Sequence, residues 1–203
     1  MLHLTVQDHC SKMLMPTIIA ITGTPGVGKT TLAKKIIRKS RNKIVFFDIK
    51  KIAEQNNLIL GKDKYGSNII DIKKLQKIIN AKVKKGYVEH TILMESHLLS
   101  DMKLDNALAI VLREHLKTLK HRLLKRKYPI EKIRDNIVCE ATDYCGINAC
   151  QNYRHVYELI SSDKGTYGEA IKILFAKGKK RNKFVELGEE LSDLISEDAR
   201  FAI

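Results

Sequence analysis

Residues 17–30 read TIIAITGTPGVGKT. The first six form a short apolar, β-branched run, the pattern of a strand buried on both faces of a parallel sheet. The last eight fit GxxxxGK[ST] in full, and residues 28–39 continue with Leu32, Ile36 and Ile37 on one helical face. Strand, glycine-rich turn and helix in that order make a phosphate cradle. The glycines let successive backbone N–H groups converge on phosphate oxygens, and the helix start adds free donors and a positive dipole end. On this reading Gly23, Gly26, Val27, Gly28, Lys29, Thr30 and Thr31 bind a nucleotide. Lys29 is the mobile cation for the β- and γ-phosphates of ATP, Thr30 a ligand to Mg²⁺, and Thr31 a contact of the α-phosphate.

Outward from this stretch, strands and helices alternate. Strands are expected at 43–48, 87–95, 107–113 and 155–160. Helices are expected at 49–57, 71–86, 114–127, 131–152 and 166–178, with 61–68 as a polar loop. Asp71 is a fitting N-cap, and Gly86 a fitting stop, for a segment whose Ile72, Leu75, Ile78, Ile79 and Val83 recur at helical spacing. The alternation implies an α/β fold: a three-layer P-loop NTPase with a five-stranded parallel sheet flanked by helices and a short helical lid. Residues 1–15 read as an N-terminal extension and 16–203 as one domain, since no repeat or linker divides them.

The apolar fraction of 44% excludes general disorder, and four cysteines without a framework spacing exclude a disulfide scaffold. No run is long and apolar enough for a membrane span, and the first residues lack the pattern of a signal peptide, so a cytoplasmic protein is expected, or a nuclear one in a eukaryotic host. Cys139, Cys145 and Cys150 fall on one expected helix as buried thiols rather than a zinc site. The net charge of +14 favours an anionic partner, either small phosphates or a nucleic-acid surface.

A phosphate-transferring site needs an acidic group near the metal and a cation over the developing charge. Glu95, at the carboxyl end of a buried strand, suits the first role and metal ligation with Thr30. His97, two residues on, is in reach of the γ-phosphate or a water. Arg126, in the basic stretch Arg122–Lys127, suits the second role. Lys29, Glu95, His97 and Arg126 are therefore the candidate catalytic residues.

The segments GTPGVGKTTLA (23–33), IIDIKKL (69–75), ESH (95–97), IVLR (110–113), RLLKRKY (122–128), KIRDNIVCEA (132–141) and VYELI (156–160) together resemble the atypical adenylate kinase family of archaea and eukaryotes. The resemblance spans residues 15–175. It implies a small nucleoside monophosphate kinase, with AMP as the expected acceptor, that also hydrolyses ATP. It also implies a role in maturation of the small ribosomal subunit, with a ribosomal protein, and pre-rRNA, as partners. Carried over by position, residues 46–69 are the monophosphate-binding region, 125–135 the lid, and Arg126 the lid arginine. Two positions depart from the pattern: Glu95 stands for aspartate, and Lys127 for the glycine after the lid arginine. No arginine occurs between Arg41 and Arg113, so an acceptor phosphate must be held by lysines or by Arg113, Arg122 and Arg126. Two other readings stay open: a nucleotide-gated binding module in ribosome assembly, and a kinase for a small metabolite.

Overall fold

The computed structural model describes residues 18–40, 44–87, 90–175 and 185–197. The expected extension at 1–15, the first residue of the strand expected at 43–48 and the end of the helix expected at 166–178 lie outside them. Strand β1 (Ile18–Thr22) leads through the glycine-rich turn into α1 (Lys29–Lys39), followed by β2 (Ile44–Phe47) and α2 (Ile49–Gln55). A small hairpin, β3 (Ile59–Lys62) and β4 (Asn68–Ile70), precedes α3 (Ile72–Gly86), β5 (Thr91–Glu95) and a 3₁₀ turn at His97–Asp101. Then come β6 (Ala107–Arg113), α4 (Leu116–Lys125), α5 (Ile130–Ala141), α6 (Tyr144–Asn152), β7 (His155–Ile160), α7 (Thr166–Phe175) and α8 (Gly188–Glu197).

Five strands form one parallel sheet in the order β2-β5-β1-β6-β7. Strand period two divides the core into two layers. Ile18 and Ala20 of β1 join Leu75, Ile79 and Val83 of α3 and Ala149 of α6 on one face. Ile19 and Ile21 join Ile36 of α1, Leu119 and Leu123 of α4, and Ile137 of α5 on the other. Burying each such isoleucine contributes about 1.5–3 kcal/mol. The three-layer α/β P-loop architecture expected from the sequence is the one observed. Central β1 lies between β5 and β6, so its carboxyl end opens at the crevice where parallel sheets bind ligands.

Four local expectations need correction. The loop at 61–68 is the turn of the β3–β4 hairpin: Asp63 Oδ1 accepts from Tyr65 N and Ser67 N, both at 2.8 Å. The strand expected from residue 87 begins at Thr91, because Tyr87 still caps α3, donating its N–H to Val83 O. The long helix at 131–152 is two helices. Asp143 takes a left-handed φ of 53° and starts α6 as its N-cap, accepting from Gly146 N at 3.1 Å. Cys139 therefore lies on α5 and the other two thiols on α6; Cys145 is buried, Cys139 half-buried and Cys150 exposed. Helix α8 was not expected at all.

Candidate active site

The glycine-rich turn joins β1 to α1 at the open end of the sheet. Gly28 has φ 111°, and a Cβ there would lie 2.7 Å from Ser161 Oγ beyond β7, so the turn needs glycine on both counts. Lys29 is the first residue of α1 and only 9% exposed. Its Nζ donates to Gly23 O at 2.7 Å and Thr24 O at 3.0 Å. Burial lowers its pKa from the ordinary lysine value, against the carboxylates of Glu95 and Glu140, which raise it. Thr30 Oγ1 donates to Glu95 Oε1 at 2.9 Å across the gap between α1 and the end of β5.

These groups face a cavity of about 610 Å³, within the usual range for small-ligand sites. Gly26, Gly28, Lys29, Thr30, Thr31, Glu95, His97 and Arg126 line it, together with Lys34, Asp48 and Lys50. Gly23 and Val27 stand behind it: Gly23 holds the Lys29 ammonium, and Val27 is buried in the core. The backbone at His97 is fixed, since its carbonyl accepts from Thr22 Oγ1 at 3.2 Å and Ser100 Oγ at 2.9 Å. Desolvation at the site, followed by the cations of Lys29 and Lys132, lowers the His97 pKa to about 4, so its ring is uncharged near neutrality. Arg126, at the C-cap of α4, is exposed on the cavity wall.

Thr30 and Glu95 offer two hard oxygen donors in direct contact, a set that fits Mg²⁺. Among the described residues no three His, Cys, Asp or Glu side chains gather as a metal cage. Magnesium does not require one, because it keeps waters and shares its shell with substrate phosphates.

A second cavity, of about 210 Å³, continues past Gly28 and Thr31. Its walls include Lys35, Ser161, Asp163 and Tyr167, none of which the sequence reading singled out. Their signal was positional: Ser161 follows the carboxyl end of β7, as Ser96 follows that of β5. The bracing of the loop was missed as well. Thr24 Oγ1 donates to Glu140 Oε2 of α5. Arg122 Nη1 donates to Val27 O at 3.0 Å, while its Nη2 meets Glu114 Oε2 at 2.7 Å. Arg113, 1% exposed, donates from Nε to Glu140 Oε1 at 2.9 Å and from Nη2 to Glu140 O at 2.7 Å, and it also pairs with Asp143. Neither Arg113 nor Arg122 is thus free to hold an acceptor phosphate. Of the three arginines the sequence offered for that role, Arg126 alone lines the cavity.

The profile of the family described as an AAA domain matches residues 19–143. A protein of Methanocaldococcus jannaschii named "Putative adenylate kinase" is 36% identical over 169 residues, covering 82% of this chain and 90% of its own. One of the same name from Pyrococcus furiosus is 35% identical over 147 residues, covering 72% and 76%. The chain belongs to the adenylate kinase-like family of P-loop proteins. Among solved structures, a shikimate kinase from Bacteroides thetaiotaomicron is similar at 19% identity and a TM-score of 0.50, covering 78% of this chain and 95% of its own. A sugar kinase from Janibacter is similar at 15% identity and a TM-score of 0.52, covering 79% and 94%. At such identities the likeness is one of fold.

Two features of this adenylate kinase-like chain follow from its own geometry. Lys127, the departure from glycine after Arg126, adopts φ 56°, the left-handed conformation that glycine takes without strain. The hairpin and α5 grip each other at the rim. Tyr65 Oη donates to Asp135 Oδ2 at 2.7 Å, Lys64 Nζ lies 3.3 Å from the same oxygen, and Lys132 Nζ donates to Ser67 Oγ at 2.8 Å.

Proposed function

We propose that this chain is a nucleoside monophosphate kinase of adenylate kinase type. It transfers the terminal phosphate of ATP to a monophosphate, AMP first among them, and hydrolyses ATP when water occupies the acceptor position. The observation that carries this reading is the Thr30–Glu95 contact at 2.9 Å, beside a buried Lys29, on a cavity that Arg126 also lines. Thr30 and Glu95 would hold Mg²⁺, which when bound neutralises charge on the β- and γ-phosphates.

The loop N–H groups and Lys29 bind the phosphates of ATP. The nucleoside then extends past Thr31 toward Ser161, Asp163 and Tyr167, which line the adjoining cavity. Residues 46–69 and 125–135 bound the acceptor side and meet through the Tyr65–Asp135 hydrogen bond. Attack of an acceptor phosphate oxygen on the γ-phosphorus, in line, breaks the bond to the β–γ bridging oxygen. Positioning and charge stabilisation do the catalytic work. Arg126 meets the charge developing on the transferred group, and His97 orients the acceptor oxygen or a water as an uncharged hydrogen-bonding group.

The family resemblance extends the proposal to maturation of the small ribosomal subunit, and the net charge of +14 is compatible with an RNA-rich partner. A coupled assay across AMP, the other monophosphates, shikimate and no acceptor tests the enzymatic reading. ADP formation accelerated by AMP is expected, with slower basal hydrolysis. A rate the same with every acceptor as with none would reduce the activity to that of an ATPase.

A further inference from the structure

Helix α4 begins without a cap of its own. Its N-cap residue His115 makes no side-chain hydrogen bond to the first turn. The need is met from far along the chain: Glu190 of α8 accepts from Leu116 N at 2.8 Å through Oε2 and lies 2.6 Å from His115 Nδ1 through Oε1. A carboxylate there satisfies a free backbone donor and complements the positive end of the helix. The hydrogen bond to Glu190 raises the His115 pKa above its ordinary value. Lys117 Nζ meets Glu197 Oε1 at 2.7 Å, and Leu187 and Leu194 are buried in the same core layer as Leu116, Leu119 and Leu123. The C-terminal segment therefore holds α4 along its first turns by charge and by apolar packing.

Helix α4 in turn backs the glycine-rich loop. A Cβ at Gly26 would lie 2.8 Å from Leu119 Cδ1 and 2.9 Å from Leu123 Cδ2, so the loop rests directly on α4. Arg122 ties Val27 O to the same helix at 3.0 Å, and α4 ends at Arg126 on the cavity wall. A tilt or fraying of α4 would be felt at both places. We propose that α8 is a strap on the nucleotide site, and that Glu190 is a positioning residue which acts through α4 to hold the phosphate-binding loop and Arg126 in register.

This inference rests on the reading of that loop as an ATP site, and its test separates the two. The full chain, Glu190→Ala and Glu190→Gln are compared by calorimetry with Mg-ATP, by steady-state turnover and by amide hydrogen exchange. Glu190→Ala is expected to weaken ATP binding and raise the KM for ATP by about three- to tenfold, the scale of a lost helix cap, and to lower kcat as well, because Arg126 loses its register. Exchange should quicken at residues 116–119 and also at 26–28. Glu190→Gln, whose amide oxygen still accepts from Leu116 N, should restore most of the affinity. Faster exchange at 116–119 with unchanged exchange at 26–28 and unchanged ATP affinity would overturn the proposal. If the unaltered chain binds no ATP, the nucleotide reading fails on its own, and the exchange at 26–28 still decides whether the strap reaches the loop. If the Glu190→Ala chain unfolds, Glu190→Asp decides, since its shorter side chain draws the carboxylate back from Leu116 N: exchange quickened at 116–119 and at 26–28 together is expected, and quickening at 116–119 alone overturns the proposal.

Discussion

Lys29 carries a buried charge whose hydrogen-bond partners are two carbonyls of its own loop. Its removal should cost the fold little, since the desolvation penalty leaves with the charge. Lys29→Ala is expected to cut turnover by about 10²-fold or more, as losing a charge-stabilising donor does, with thermal stability unchanged or raised. Thermal melts and a coupled assay read the two effects separately. Lys127→Gly should stabilise the protein by up to about 1 kcal/mol, since relief of a left-handed non-glycine exceeds the added unfolded-state entropy. Denaturant titration measures it. Burial, then the Asp143 charge, pushes the Glu158 carboxyl up to about 7. A raised carboxyl pKa means that the folded state binds the extra proton between the ordinary value and the raised one. Stability therefore falls as pH rises through that window and levels off above it. Glu158→Gln cannot ionise, and should gain about 1–3 kcal/mol on the unaltered chain between about pH 5 and about pH 8, in urea titrations at both. Lys29, Thr30 and Glu95 were legible in the sequence because a motif and a strand end fix their places. Glu140 and Arg122 were not: their role arises only when α5 and α4 fold back onto a distant loop, across 116 positions for Thr24–Glu140 and 95 for Val27–Arg122.

Most elements with a clear apolar pattern are legible in the sequence, and those without one are not. β1 and β6 are buried on both faces and read as continuous apolar runs, whereas α1 and α3 bury one face and show its period. β3 is exposed along its whole length, so no alternation marks it, and its glycine and polar neighbours read as loop. At the break between α5 and α6, Asp143 takes the left-handed turn itself and repays it by capping α6, and the signal is Gly146, where a Cβ would collide with the capping carboxylate. Helix α8 and the residue before it carry Leu187, Leu191 and Leu194 at helical spacing, a signal the expected elements leave out, and the helix packs that stripe on α4 and α5. The hairpin that the sequence hid has a functional consequence under the proposed reading. Tyr65→Phe removes the 2.7 Å hydrogen bond to Asp135 and loosens the grip on the acceptor side. It should raise the KM for the monophosphate by about two- to tenfold, the value of one solvent-exposed hydrogen bond, and leave the KM for ATP unchanged. An equal rise in both constants would show that the hairpin does not act on the acceptor alone.

At the scale of the whole molecule, the layers and the excess charge serve one end. The parallel sheet brings the ends of β1, β5 and β7 to one rim, and the helices on one face brace the glycine-rich loop. A net charge of +14 draws polyanions to the entire surface, so nonspecific attraction and the built site must be told apart by salt. Binding through the loop should survive near-physiological ionic strength, where loose surface association is largely screened. The most direct measurement is therefore calorimetric titration of Mg-ATP into the folded full chain at such ionic strength, with Lys29→Ala alongside. One saturable site per chain is expected in the unaltered protein, and none in the variant. Equal binding by both, or no binding by either while both are folded, would contradict it.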